Sequence, residues 1–436
     1  MIPLHLILTM YPNLYFFLKE VFGINPWAFT KYINSFGLIV AFAFVVGALV
    51  LSAELKRREK LGLVLPFEEK IMVGKPASLF DLLFHFLFGF IVGYKIIGVF
   101  FNSEQVIPQE YIFSSKGSFL GGLLLGLFFT ATKFIEKRKL SLAKPTLKSF
   151  NVWPHERVGD IIVIAAIAGF LGAKIFDNLE NWDRFIQDPI GNLLAPSGLT
   201  FYGGLILATA CILYFAKKKR INIRSLVDSA APALMIGYAI GRIGCHVSGD
   251  GDWGVFNSAY QVDDQNKVIQ ADDSSFIHNL SKNPTYTNYL IRQYGDLEHI
   301  PHINYKGSSV LPNWFWAYNY PHNVNEIGVP INGCTGSYCN QLSPPVFPTT
   351  LYEIIACSLL FIILWVVRKR ITIPGRLFAL YLMLNGVERF LIEKIRVNTT
   401  YSIWGFNPTQ AELISSLMFL VGLLLWVRSK PVQKLV

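Results

Sequence analysis

Two arginines stand in apolar stretches, where a charge is costly. Arg242 follows ALMIGYAIG and Arg389 follows ALYLMLNGVE. A guanidinium at mid-bilayer depth costs on the order of 2.5–3.5 kcal/mol on insertion scales. An anionic partner is therefore required, and the planar guanidinium suits a phosphate. Glu393 lies four residues after Arg389, so an ion pair on one helix face is the plain reading. The alternative is that both arginines, at similar depth on different helices, clamp one phosphodiester. His246 follows Arg242 by four residues. If the helix persists, both face one site and His246 could act as a general base; otherwise it is a histidine at a helix end.

Each of these residues needs a helix to position it. The chain has 436 residues, of which 52% are hydrophobic and 16% charged; the mean hydropathy is +0.40. That composition belongs to a polytopic membrane protein. The net charge of +10 does not signal nucleic-acid binding, because the basic residues sit in short clusters between apolar runs. Spans are expected near 36–54, 79–101, 119–134, 159–176, 201–216, 226–245, 350–367, 374–393 and 409–427. The expected fold is an all-α integral membrane bundle of about nine transmembrane helices. Lys56–Lys60, Glu136–Lys139, Lys217–Arg220 and Arg368–Arg370 occupy every second loop, which puts those loops in the cytoplasm. The N-terminus is then outside and the C-terminus inside. MIPLHLILTM lacks the basic leader of a cleaved signal peptide, so the first segment is expected to be retained.

Four regions follow: an interfacial segment over 1–35, six helices over 36–245, a polar extracytoplasmic domain or lid over 246–348, and three helices over 349–436. The lid is rich in Asn, Asp, Tyr and Pro, with strand-like patches and no long helical period. Its Cys334 and Cys339 pair if the loop faces an oxidising compartment. Cys211, Cys245 and Cys357 read as small hydrophobes.

A hairpin is duplicated. FDLLFHFLFGFIVGYK (Phe80–Lys95) resembles GDIIVIAAIAGFLGAK (Gly159–Lys174), and each precedes a helix with a Gly pair, Gly121–Gly122 or Gly203–Gly204. Asp precedes Lys by fourteen residues in both, and Asp228 precedes Arg242 by fourteen. Helix dipoles account for Lys95 and Lys174 without a function. The Gly pairs allow close helix packing or leave a gap for a lipid headgroup. His85, four residues after Asp81, reads as a bundle-core His–Asp contact.

Four motifs resemble the prolipoprotein diacylglyceryl transferase family. They are SGLTFYGG (Ser197–Gly204), the stretch from Asp228 to Gly254, FPTTLYE (Phe347–Glu353) and GVERFLIEKIR (Gly386–Arg396). INSFGL (Ile33–Leu38) is a weaker fit. The family has seven spans, so the hairpin 79–134 is the surplus. The resemblance implies transfer of a diacylglyceryl group from phosphatidylglycerol to the lipobox cysteine of prolipoproteins, at the outer face of the cytoplasmic membrane, with glycerol 1-phosphate released. It makes Arg242 and Arg389 the phosphate-binding pair and puts Tyr202 at the catalytic histidine position; His246, from its spacing to Arg242, is the further catalytic candidate. Gly203, Gly204, Cys245, Asp250, Gly254 and Glu393 become substrate-binding positions, and Asp228, Glu353 and Arg396 supporting ones. No metal and no cofactor are implied. The family's histidine is Tyr202 here, a poor base at neutral pH, and its asparagine after G-R-x-G is Cys245. Its first-helix tyrosine falls at Phe36 and a later one at Asn385, and an extra residue separates Asp250 from Gly254. These departures keep two other readings open: a non-catalytic relative binding anionic phospholipid or lipoprotein precursors, and a small-anion transporter.

Overall fold

The apolar runs fold as helices because a bilayer leaves no other partner for their backbone polar groups. The computed structural model describes residues 10–101, 111, 114–195, 198–271, 276–398, 401 and 406–430. Among the described residues there are nine long helices: α1 (Ser35–Lys60), α2 (Leu79–Phe101), α3 (Phe119–Leu140), α4 (Val158–Glu180), α5 (Phe201–Lys218), α6 (Ile223–Ser248), α7 (Thr349–Val367), α8 (Arg376–Glu393) and α9 (Gln410–Arg428). All but α8 are long and apolar enough to cross a membrane. Helix α8 carries Arg376, Glu388, Arg389 and Glu393. Helices α1, α3, α4 and α6 run past the expected ends of their spans. The helices also expose large side chains such as Phe84, Phe88 and Ile91 on α2, as a lipid-facing surface does.

The chain divides into two compact units, residues 52–223 and residues 1–51 with 224–436. In the first, α2–α3 and α4–α5 are the same packing unit twice. A Cβ built on Gly93 would lie 2.3 Å from the Gly121 carbonyl oxygen, and one on Gly172 would lie 2.4 Å from that of Gly203. The loop bonds match too: Ser118 N donates to Tyr94 O at 2.8 Å, and Thr200 N to Ala173 O at 3.1 Å. The lysines have a role that the dipole argument did not supply. Lys95 Nζ donates to the carbonyls of Tyr111 and Ser114 at 3.0 and 2.5 Å, and Lys174 Nζ to that of Ala195 at 2.9 Å. Each lysine ties down the loop that follows its own helix. The His85 contact to Asp81 is made to the backbone: its Nδ1 meets the Asp81 backbone oxygen at 2.7 Å, while the Asp81 carboxylate accepts from Ser78 N at 3.2 Å. Strands β1 (Phe67–Val73) and β2 (Thr146–Val152) pair antiparallel in the same unit.

In the second unit, α6, α7 and α8 share a core of Ala231, Met235, Ala239, Cys357, Leu364 and Leu377. Asp228 does more than sit near its own helix start. Its carboxylate accepts from Gly375 N and Phe378 N, both at 2.8 Å. It caps α8, where exposed amides and the helix dipole favour an anion. Between α6 and α7 the insertion builds its own core from Phe256, Phe276, Leu280, Tyr286, Leu290, Ile300, Tyr318, Tyr320, Leu342 and Val346, joined by Met10 from the N-terminal segment. Its strands are two or three residues long. The sequence shows no long helical period here, and the insertion holds a helix of 11 residues over Pro284–Tyr294. Pro284 starts it, Asn283 accepts from Tyr286 N at 3.1 Å, and Tyr286 and Leu290 bury one face. An Asn cap followed by Pro was the available signal. Cys334 and Cys339 are joined by a disulfide.

Candidate functional site

Helix α6 persists to Ser248, so Arg242 and His246 do share one helix. Their side chains nevertheless serve different surroundings. Arg242 turns to two carboxylates: it hydrogen-bonds Asp252, and its Nε lies 3.2 Å from Glu353 Oε2. His246 Nδ1 meets Thr350 Oγ1 at 2.9 Å, and that hydroxyl also meets Tyr320 OH at 2.9 Å. The imidazole lies tilted against Tyr318 and edge-on to Tyr320, with ring centroids 5.6 Å away in each case.

Glu353, in the second turn of α7, is the hub. Its side chain is 0% exposed. Arg389 Nη1 lies 3.2 Å from Oε1, Arg396 Nη1 lies 3.8 Å from Oε2, and Tyr238 OH donates to Oε1 at 2.9 Å. The two arginines expected to share a phosphate are thus already drawn together by one carboxylate. The Arg389–Glu393 pair forms as well, at 3.1 Å. Asn398 Nδ2 donates to the other Glu393 oxygen at 2.5 Å.

Asp252 bridges a second pair. One oxygen takes Arg242 and the other takes Arg396 Nη2 at 2.6 Å. Burial opposes its charge, but Arg396 and Arg242 outweigh that and hold its pKa down at about 2. Asp250 was the expected acid of this turn. Its carboxylate instead accepts from Asp252 N at 3.3 Å, and burial followed by the charge on Asp252 pushes its pKa up. Cys245, Asp250 and Asp252 place ligand-type atoms within 4.8 Å of one another. With both Asp252 oxygens held by arginines, that set is poorly disposed toward a cation. Cys245 is buried, its Sγ 3.8 Å from Arg242 Nη1.

Gly254 fixes the turn against the end of α8. It bridges to Arg396, and its N–H donates to Phe347 O at 2.9 Å. A Cβ there would lie 2.6 Å from the Ile395 carbonyl oxygen. Only glycine allows this approach.

Tyr202, Gly203 and Gly204 belong to the other unit. The open faces of both glycines are filled by α4: a Cβ on Gly203 would meet Phe176 Cβ at 2.3 Å, and one on Gly204 the Gly169 oxygen at 2.7 Å. Close packing accounts for the pair, and the gap expected there is occupied by helix. Tyr202 is half-buried at the start of α5.

The description "prolipoprotein diacylglyceryl transferase" belongs to a family model that matches residues 140–428, more than half of the chain. The chain belongs to this family. The match opens at the last residue of α3, so the duplicated hairpin α2–α3 precedes it. Similar proteins include the phosphatidylglycerol–prolipoprotein diacylglyceryl transferase of Shouchella clausii, 26% identical over 333 residues, which are 74% of this chain and 91% of that protein. The protein of the same name from Dehalococcoides mccartyi is 23% identical over 303 residues, 68% of this chain and 88% of its own. That of Leptospira interrogans is 34% identical over 117 residues, 22% of this chain and 37% of its own. At these identities this chain is a divergent family member. Its arginine cluster lies inside the family match.

Proposed function

We propose that this chain transfers a diacylglyceryl group from phosphatidylglycerol to the lipobox cysteine thiol of prolipoproteins. In this reading it is a multi-pass protein of the cytoplasmic membrane, with its N-terminus and the insertion outside and its C-terminus in the cytoplasm. The observation that carries the reading is the convergence of Arg242, Arg389 and Arg396 on Glu353 within the family match.

The chemistry fits the cluster. The thiolate attacks a glyceryl carbon, the carbon–oxygen bond to phosphate breaks, and glycerol 1-phosphate leaves with the electron pair. Guanidinium groups stabilise the charge that grows on the departing phosphate. Glu353 is fully buried, whereas the Asp252 side chain is 34% exposed. An incoming phosphodiester therefore exchanges with Asp252, while Glu353 keeps the arginines aligned. The thiol proton needs an acceptor, since a free cysteine has a pKa of about 8.5. His246, four residues from Arg242 on α6, is the candidate here.

A second reading has a specific support. Carboxylates already neutralise all three arginines, and Tyr202 replaces the family's base, so a non-catalytic relative that only binds anionic phospholipid is the competitor. Complementation of a transferase-depleted strain separates the two. Rescue by the wild-type chain that is lost with Arg242→Ala, with transfer falling about 10²–10³-fold, supports the enzyme. Failure to rescue, with phosphatidylglycerol still retained in native mass spectrometry, supports the binding protein. Full activity in His246→Ala would remove that histidine from the proton route.

A further inference from the structure

The insertion contributes a cavity of about 250 Å³ beside the arginine cluster. Its walls are the helix Pro284–Tyr294, the turn Gly251–Gly254 and residues 396–398. The helix buries Tyr286 and Leu290 in the insertion core and offers Tyr289 and Gln293, four residues apart, on a more open face. Tyr289 is 44% exposed. Trp253, Tyr294 and Asn398 complete the lining used here. Arg396 belongs to both places: it lines the cavity and binds Asp252, whose other oxygen holds Arg242. The cavity therefore shares a wall residue with the candidate site.

We propose that this cavity receives the uncharged stretch of acceptor polypeptide adjoining the cysteine to be modified, with Tyr289, Gln293 and Tyr294 selecting it. The inference rests on the transferase reading above. Three features choose the occupant. Arg396, the one cation among the lining residues, is already paired with Asp252, and no carboxylate joins it there, so the lining offers no unpaired charge and suits a neutral segment. Tyrosine and tryptophan supply wide apolar contact with a polar edge, at little cost in side-chain entropy, while Gln293 and Asn398 can each donate to and accept from peptide amides. A cavity of about 250 Å³ has room for a few small side chains.

The test uses the full chain in nanodiscs containing phosphatidylglycerol, with a fluorescent peptide bearing a lipobox cysteine and its Cys→Ser counterpart. Gln293→Trp, which fills the mouth from an exposed position, should raise the KM for the peptide about tenfold, equivalent to ~1.4 kcal/mol of lost contact. The KM for phosphatidylglycerol should not move. In parallel, p-benzoylphenylalanine introduced at Tyr289 should crosslink to the Cys→Ser peptide, a readout that needs no turnover. Crosslinking without any transfer would uphold the cavity and remove the transferase reading. Transfer with an unchanged peptide KM and no crosslink would remove the cavity and leave the enzyme. A shift in the lipid KM alone would make the cavity a headgroup site and overturn the proposal.

Discussion

Glu353→Gln tests the hub directly. The substitution keeps the size and one carbonyl oxygen but removes the charge beneath three guanidinium groups. At an effective dielectric of about 20, unit charges separated by the 3.2 Å found for both Arg242 and Arg389 attract by roughly 5 kcal/mol. Much of this gross attraction offsets the desolvation of a fully buried carboxylate, so the net loss on removing one partner of a buried pair is about 3–5 kcal/mol. Of the carboxylates among the described residues, Arg242 would then keep Asp252, and Arg389 would keep Glu393. Both would lose their common orientation. Transfer to a fluorescent cysteine peptide should slow about 10²–10³-fold, mainly in kcat, with a lower unfolding midpoint in the same detergent. Tyr238→Phe is the control. It removes a neutral hydroxyl from the same carboxylate, which costs about 1.5–3 kcal/mol for a hydrogen bond to a charged group, and it leaves the arginines paired. If Glu353→Gln retains wild-type rate and stability, or if Tyr238→Phe is equally damaging, the arginines are not organised by this charge.

Two further substitutions probe the turn after α6. Asp252→Asn should lower the KM for phosphatidylglycerol, because Arg242 and Arg396 lose the partner that a phosphate must displace. It should also flatten the acid limb of stability. The folded pKa, about 2, lies below the ordinary 3.8, so the contribution is fully present above that ordinary value and is lost as pH falls towards 2. The shift corresponds to about 2.4 kcal/mol before screening, and to roughly half that or less for a side chain one-third exposed; thermal unfolding between pH 2 and 6 measures it. Gly254→Ala forces a Cβ to within 2.6 Å of a backbone oxygen. It should cost about 1–3 kcal/mol by overpacking and reduce transfer, since the turn carrying Asp252 must lift from Arg396; unfolding midpoint and transfer rate, read together, check it.

Much of the molecule was legible in the chain because its causes are local. An apolar run of sufficient length becomes a helix whatever surrounds it, so among the described residues nine long helices stand where the runs are. The Asp-to-cation spacing and the glycine pairs exposed the duplicated hairpin, and two buried arginines pointed to anions. What each charge actually meets was decided by tertiary structure. Arg396 finds Asp252 across 144 residues of sequence, and no local period encodes such a pairing. Of two acids in one turn, geometry selected Asp252 over Asp250. Glu353, a supporting residue by sequence, became the hub because α6, α7 and α8 converge on it. Asp228 caps a helix other than its own, and of the two readings open for Gly203 and Gly204, their contacts with α4 select close packing. The sequence alone determined which groups had to be buried and roughly at what depth. The fold alone assigned their partners, because a buried charge is stabilised by whatever lies within a few ångströms, and that neighbourhood exists only once distant helices have packed.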